Sequence, residues 1–303
     1  MDKKIIIGVA LAASAIAILA GIITMSSQKQ PPANSGTEKV KVIASFFPVY
    51  DFARHVGGDN ADVSVLVPAG IEPHDWEPTP RDIESAEKAE LVIYNGAGFE
   101  SWVSRLNVQT KVDTSKEILV IRGEAGSGLD PHIWLDPLLA KKQVEAIRDG
   151  LIQVDPDNAD YYMQNADKYL RELDSLDSLI RSELLDCEKN DFIAFHNAFS
   201  YFSTRYGLVQ HSIQGVSPEG EVLPQRIQEI KQLATDLGID VIYAEELVDP
   251  RLANVIADEI PNGRVLVLSP IEGLGEEELE QGLGYIDKMK ENLDNLKVGL
   301  NCS

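Results

Sequence analysis

Residues 156–185 read PDNADYYMQNADKYLRELDSLDSLIRSELL, and the architecture of the chain turns on them. Ala166, Leu170, Leu173, Leu176, Ile180 and Leu184 recur at intervals of three or four, with Asp and Glu in the gaps. One stripe is therefore apolar and the opposite face polar, the pattern of an amphipathic helix. Pro156 stands at the first turn, flanked by Asp155, Asp157 and Asn158, which marks a helix start. The spacing predicts a single helix of ~30 residues, ~45 Å long at 1.5 Å per residue. That is longer than a small lobe is wide, so the helix reads as a strut between two lobes.

Working outward, short β-rich runs alternate with helical segments on both sides of the strut. Before it, Val40–Phe47, Val63–Val67, Leu91–Tyr94 and Ile118–Ile121 read as strands, with helices near Val49–Val56, Arg81–Lys88 and Glu100–Leu106. After it, Phe192–Phe195, Leu208–Ile213, Val241–Ala244 and Val265–Leu268 read as strands. Helices near Ala198–Arg205, Pro224–Leu237, Pro250–Glu259 and Glu276–Leu296 accompany them. This alternation predicts an α/β fold of two similar lobes, each a mainly parallel four-stranded sheet with flanking helices, joined by one long rigid helix. The expected boundaries are 39–154 for the first lobe, 155–187 for the linking helix and 188–303 for the second.

Three histidines recur at comparable loop positions. His74 lies in Glu-Pro-His-Asp-Trp-Glu-Pro and His132 in Asp-Pro-His-Ile-Trp-Leu-Asp-Pro, while His196 directly follows Phe192–Phe195. The chain has only five histidines, and His55 and His211 lack such a setting. Each of the three falls beyond the carboxyl end of an expected strand, where open α/β sheets place their ligand crevice. Neutral imidazole is a frequent ligand of borderline transition metals, so the three point to a metal held between the lobes. Ligands spread over ~120 residues do not resemble a zinc finger or an HExxH helix. The prolines before His74 and His132 restrict the backbone there. Trp76 and Trp134 are expected to wall the site, and Asp136 is the expected acceptor for an imidazole N–H.

The net charge of −22, from 49 acidic against 27 basic residues, argues against nucleic-acid binding. Ile5 to Met25 carries no charged residue and follows Lys3 and Lys4. Its ~20 residues are enough to cross a hydrocarbon core, and the preceding lysines place the N-terminus in the cytoplasm and the bulk outside. Segment 1–25 is expected to act as an uncleaved membrane anchor rather than a cleaved signal, with 26–38 as a flexible linker. Cys187 and Cys302 are the only cysteines. They are compatible with two free thiols or with one disulfide, whose loop of ~115 residues would contribute ~4–5 kcal/mol on the chain-entropy estimate.

From about Val40 onward the chain resembles the zinc/manganese-type solute-binding proteins of ABC importers. The resemblance is carried, in order, by Phe46-Phe47-Pro48-Val49-Tyr50, Pro73-His74-Asp75-Trp76-Glu77-Pro78, Asp130-Pro131-His132-Ile133-Trp134-Leu135-Asp136-Pro137 and His196-Asn197-Ala198-Phe199-Ser200-Tyr201-Phe202. It implies two α/β lobes on a long rigid helix and His74, His132 and His196 as metal ligands. Such proteins often supply an aspartate just after the last strand of the second lobe, and here Ser269 stands in that place. Glu272 is the candidate replacement, with Glu245, Glu246 and water as weaker alternatives. Three imidazoles with one carboxylate or water suit tetrahedral zinc, and manganese, which prefers more oxygen, is the alternative. The family's zinc members frequently carry a His-rich loop before the second histidine motif, and Arg122–Gly128 holds no histidine.

The expected function is capture of a divalent transition metal outside the membrane and delivery to an ABC import permease, with the metal as cargo and no enzymatic activity. The alternatives are an extracytoplasmic zinc hydrolase, for which no general base or nucleophile motif stands out, and a surface adhesin or other-solute binder on the same scaffold.

Overall fold

Val40, Val42 and Ala44 alternate with more exposed neighbours along β1 (Val40–Ala44) and put their side chains into the core. The computed structural model describes residues 38–123, 128–218 and 222–303, and Lys39–Ser303 forms one compact unit. The apolar run and nearly all of the linker expected at the N-terminus lie outside the described residues. Among the described residues, no helix is long and apolar enough to cross a membrane.

β1 runs into α1 (Phe47–Gly57), with Pro48 in its first turn, where a missing N–H costs nothing. β2 (Ala61–Val65), α2 (Pro80–Glu87), β3 (Leu91–Tyr94) and β4 (Lys111–Asp113) complete the first sheet, in the order β2-β1-β3-β4. α2 begins on a reciprocal cap in which Thr79 and Asp82 satisfy each other's backbone N–H groups. Every pairing in the sheet is parallel, with Val42 beside both Val63 and Leu91.

α3 (Pro137–Val154) is capped by Asp136, whose Oδ1 accepts from Leu138 N at 2.9 Å. A short turn over Pro156–Asn158 leads into α4 (Ala159–Glu183). α4 buries Ala166, Leu173, Leu176 and Ile180 of the expected stripe, with Tyr162 and Tyr169 added and Leu170 only partly buried. Its 25 residues span ~37 Å. α3 packs along it, and α1 from the first lobe and the last helix of the second also touch it. Leu173, Tyr162, Val42, Phe192 and Leu296 belong to one continuous apolar cluster. Burying each leucine-sized side chain contributes roughly 1.5–3 kcal/mol, so the strut is fused to both lobes rather than tethered to them.

The second lobe holds β5 (Asp191–Ala194), α5 (Ser200–Tyr206), β6 (Val209–Ser212), α6 (Pro224–Leu237), β7 (Val241–Ala244), α7 (Arg251–Asp258), β8 (Arg264–Val267), α8 (Glu276–Glu280) and α9 (Tyr285–Leu300). Its all-parallel sheet runs β6-β5-β7-β8, repeating the first lobe's layout. β7 is buried at every position, as a strand covered by helices on both faces requires.

The fourth strand of the first sheet is Lys111–Asp113, not Ile118–Ile121. Gly150 of α3 lies where an added Cβ would fall 2.5 Å from Val112 Cγ2, so the helix leaves room for β4 to dock. Ser115 N then turns back onto Asp113 Oδ1 at 3.0 Å and ends the strand. The apolar run crosses instead toward the second lobe, where Ile121 N donates to Tyr201 Oη at 3.0 Å, while Leu119 stays 91 % exposed. The expected C-terminal helix divides into α8 and α9 around Gly282, which adopts φ +75°. Cys187 and Cys302 form a disulfide across a separation of 115 residues, tying the chain after α4 to the end of α9.

Candidate metal centre

Four side chains from separate segments converge between the two sheets. His74 sits in the loop after β2, in a turn closed by Trp76 N on Pro73 O at 3.2 Å. His132 opens a tight turn over Ile133–Leu135 just before α3. His196 follows β5, and Glu272 follows β8. One ligand atom from each of His74, His132, His196 and Glu272 lies within 4.8 Å of the other three. His132, His196 and Glu272 are buried, while His74 faces partly outward.

The separations carry chemical information. His132 Nε2 is 3.3 Å from His74 Nε2 and 3.1 Å from His196 Nε2. Glu272 Oε1 is 3.0 Å from His74 Nε2, 3.1 Å from His132 Nε2 and 3.5 Å from His196 Nε2. A tetrahedral zinc ion with bonds of ~2.0–2.1 Å has ligand–ligand edges of about 3.3–3.4 Å. Five of the six edges of the cluster, at 3.0–3.5 Å, therefore match such a coordination shell.

The outer ring nitrogens explain why acceptors face inward. His132 Nδ1 lies 2.9 Å from Asp130 Oδ1, which also accepts from the His132 backbone N at 3.0 Å. His196 Nδ1 lies 2.7 Å from Glu245 Oε1, which likewise accepts from its own backbone N at 3.1 Å. Each carboxylate accepts a hydrogen bond from Nδ1–H and leaves the Nε2 lone pair pointing at the centre. Imidazole lone pairs and a carboxylate oxygen then converge, an arrangement relieved only by a cation or by protons.

The proton form of that relief appears in the acidities. Burial alone would lower the basicity of His132, but hydrogen bonds to Asp130 and Glu272 outweigh it and raise its pKa. His196 is raised well above its ordinary value, because Glu245 and Glu272 overcome the same burial. Glu272 is driven well below the usual carboxylate range, since the charge of His74 and its bonds to His132 and His196 overcome its own burial.

Two expected roles differ from the structure. Asp136 does not touch a histidine; besides capping α3 it accepts from Arg205 Nε at 2.8 Å. Trp76 packs edge-on against Trp102 at 5.7 Å rather than lining the centre. Trp134 does lie beside it, 5.2 Å from the His132 ring, and donates Nε1–H to Pro270 O at 2.7 Å. Glu245 braces His196, and Glu246 accepts from Ser269 Oγ. Asp130 was legible as Asp-Pro-His, a sequence suited to an Asp side chain closing a turn on the N–H two residues on. Glu245 had no local signal. His55 and His211 pair with Asp51 and Asp191 away from the centre.

Two parallel-sheet lobes on a helical strut, with a three-histidine, one-carboxylate cluster between them, define a solute-binding protein of the rigid-helix class. The chain belongs to the family described as zinc-uptake complex component A, periplasmic (ZnuA), which it matches over residues 42–299. It is 38 % identical over 294 residues to the high-affinity zinc uptake system protein ZnuA of Bacillus subtilis (strain 168), covering 91 % of this chain and 92 % of that protein. The crystal structure of the Zn(II)-bound ZnuA-like domain of Streptococcus pneumoniae AdcA matches with TM-score 0.78 and 34 % identity, over 87 % of this chain and 100 % of that one. The laminin binding protein Lmb of Streptococcus agalactiae matches with TM-score 0.81 and 30 % identity, over 87 % of this chain and 100 % of that one.

Proposed function

We propose that this protein captures zinc outside the cytoplasm and delivers it to an ABC-type import permease, with His74, His132, His196 and Glu272 as the ligands. The observation that carries the reading is the inward convergence of three imidazoles on Glu272 Oε1 at 3.0–3.5 Å, with two histidines held in one tautomer by Asp130 and Glu245. The relatives named for zinc uptake and the Zn(II)-bound neighbour support zinc as the cargo. Capture needs only coordination and release, so every group described has a role without a catalytic step. Segment 1–25 serves in this reading as the membrane anchor, 26–38 as its linker, and 39–154, 155–187 and 188–303 as lobe, strut and lobe.

Calorimetry on a chelator-stripped fragment beginning at Val40, within the compact unit, tests the proposal. The expected result is one zinc per chain, bound more tightly than manganese and lost in His74→Ala and His196→Ala. A folded fragment that binds neither metal overturns it. A second reading, adhesion, draws on the likeness to Lmb, described as a bifunctional protein with adhesin and metal transporting activity. Retention of the fragment on immobilised laminin is its measurement, and absence of retention removes it.

A further inference from the structure

We propose that Ser269 and Asn292 are positioning residues that hold Glu272 to single-oxygen coordination, and so set the preference for zinc over manganese. The inference rests on the metal-capture reading above. Its basis is how the loop between β8 and Glu272 is held. Ser269 N donates to Asn292 Oδ1 at 2.7 Å, and Asn292 Nδ2 returns to Ser269 O at 2.6 Å. Trp134 Nε1 donates to Pro270 O at 2.7 Å, and Ile271 N donates to Ser269 Oγ at 3.0 Å. Four backbone groups of three consecutive residues are thus satisfied by side chains from α9, from the first lobe and from the loop itself.

The brace imposes an unusual conformation. Ile271 is fully buried at φ +58°, a region β-branched residues rarely occupy. It persists because its neighbours over-determine it. The brace is itself anchored, since Ser269 Oγ donates to Glu246, which lies 3.8 Å from the buried Lys288 Nζ. Lys288 also pairs with Glu278 at 2.7 Å and Glu291 at 2.8 Å.

Glu272 is buried but not packed on every side. A cavity of about 180 Å³ borders it, lined in part by Val65, Val67, Tyr50 and Leu274. Beside its contacts with the three imidazoles, the aim of the carboxylate then depends on the backbone that carries it. With the loop held, Oε1 sits 3.0–3.5 Å from the three imidazoles. With the loop free, the carboxylate can rotate and bring its second oxygen to the metal. A higher, oxygen-richer coordination number suits manganese better than zinc.

Cobalt(II) serves as a visible probe of coordination number, used with the full-length chain in mild detergent after chelator treatment. The wild type is expected to show intense four-coordinate bands. Ser269→Ala and Asn292→Asp are expected to remain folded, weaken those bands and reduce zinc affinity by roughly 10–100-fold, the usual effect of removing an outer partner, with manganese affinity less affected. Folded variants with unchanged bands and preference overturn the proposal, as do weak, six-coordinate bands in the wild type. Failure of both variants to fold also overturns it, since the brace would then serve the fold rather than the coordination mode. Failure of the wild type to bind any metal overturns the metal-capture reading instead, which keeps the two results distinct.

Discussion

Glu245 Oε1 accepts two hydrogen bonds from one residue, the backbone N and the ring Nδ1 of His196, at 3.1 and 2.7 Å. Glu245 directly follows β7 and His196 lies just past β5, the strand beside it in the sheet. The pair fixes both the position and the tautomer of the second lobe's histidine. Glu245→Gln keeps the shape and removes the charge. The expected outcome is a loss of zinc affinity of roughly 10–100-fold with little change in melting temperature, read by competition against a chromophoric chelator. Unchanged affinity would show that His196 is aimed by the backbone alone.

Protonation and metal compete for the same atoms. In the metal-free protein His132 and His196 have raised pKa values, so their contribution to stability is complete below their unfolded value near 6.5 and is lost as pH rises through the folded values. Glu272 has a lowered pKa, so its contribution is present above about 4.5 and is lost as pH falls through the folded value. Considering this cluster, the metal-free melting temperature should fall from about pH 6.5 upward, while the stabilisation added by zinc grows over the same range. Melting curves with chelator and with zinc between pH 5 and 9 check both signs. Parallel curves would count against proton–metal exchange at this centre.

The disulfide lies before the N-terminal end of β5, whereas His196 lies past the opposite end. Cys302→Ser should lower unfolding free energy by about 2–5 kcal/mol, the range for removing a native bridge. Zinc affinity should stay within about twofold of wild type. Urea denaturation and calorimetry on one preparation separate the effects, and a large fall in affinity would mean that the bridge shapes the site.

A strut that shares its core with both lobes resists hinge motion. The continuous cluster through Leu173, Phe192 and Val42 predicts that metal-free and zinc-loaded protein have the same radius of gyration in solution scattering. A clear contraction on loading would show that the lobes close.

The cleanest contrast between sequence and fold lies in two acidic neighbours of His132. Asp130 and Asp136 both flank the histidine, and the sequence reading favoured Asp136. The turn sends the ring and backbone N of His132 to Asp130, while Asp136, also buried, turns away to cap α3 and meet Arg205. The strut was legible because ~25 residues of apolar periodicity outweigh local ambiguity. β4 was not, because three residues at a sheet edge are too few to show a period, and its docking depends on a glycine in another helix.

The strut, the β-α alternation of the two lobes and the three histidines are written in local pattern, because periodicity and the Pro-His-x-Trp settings are properties of neighbouring residues. Only the tertiary structure decided that Glu245 faces His196, that Cys187 meets Cys302, and that Glu272 reaches the histidines while Ser269 braces the loop. Those relationships join residues far apart in the chain. They depend on strand order and on the register of both sheets against α4, which no local pattern encodes.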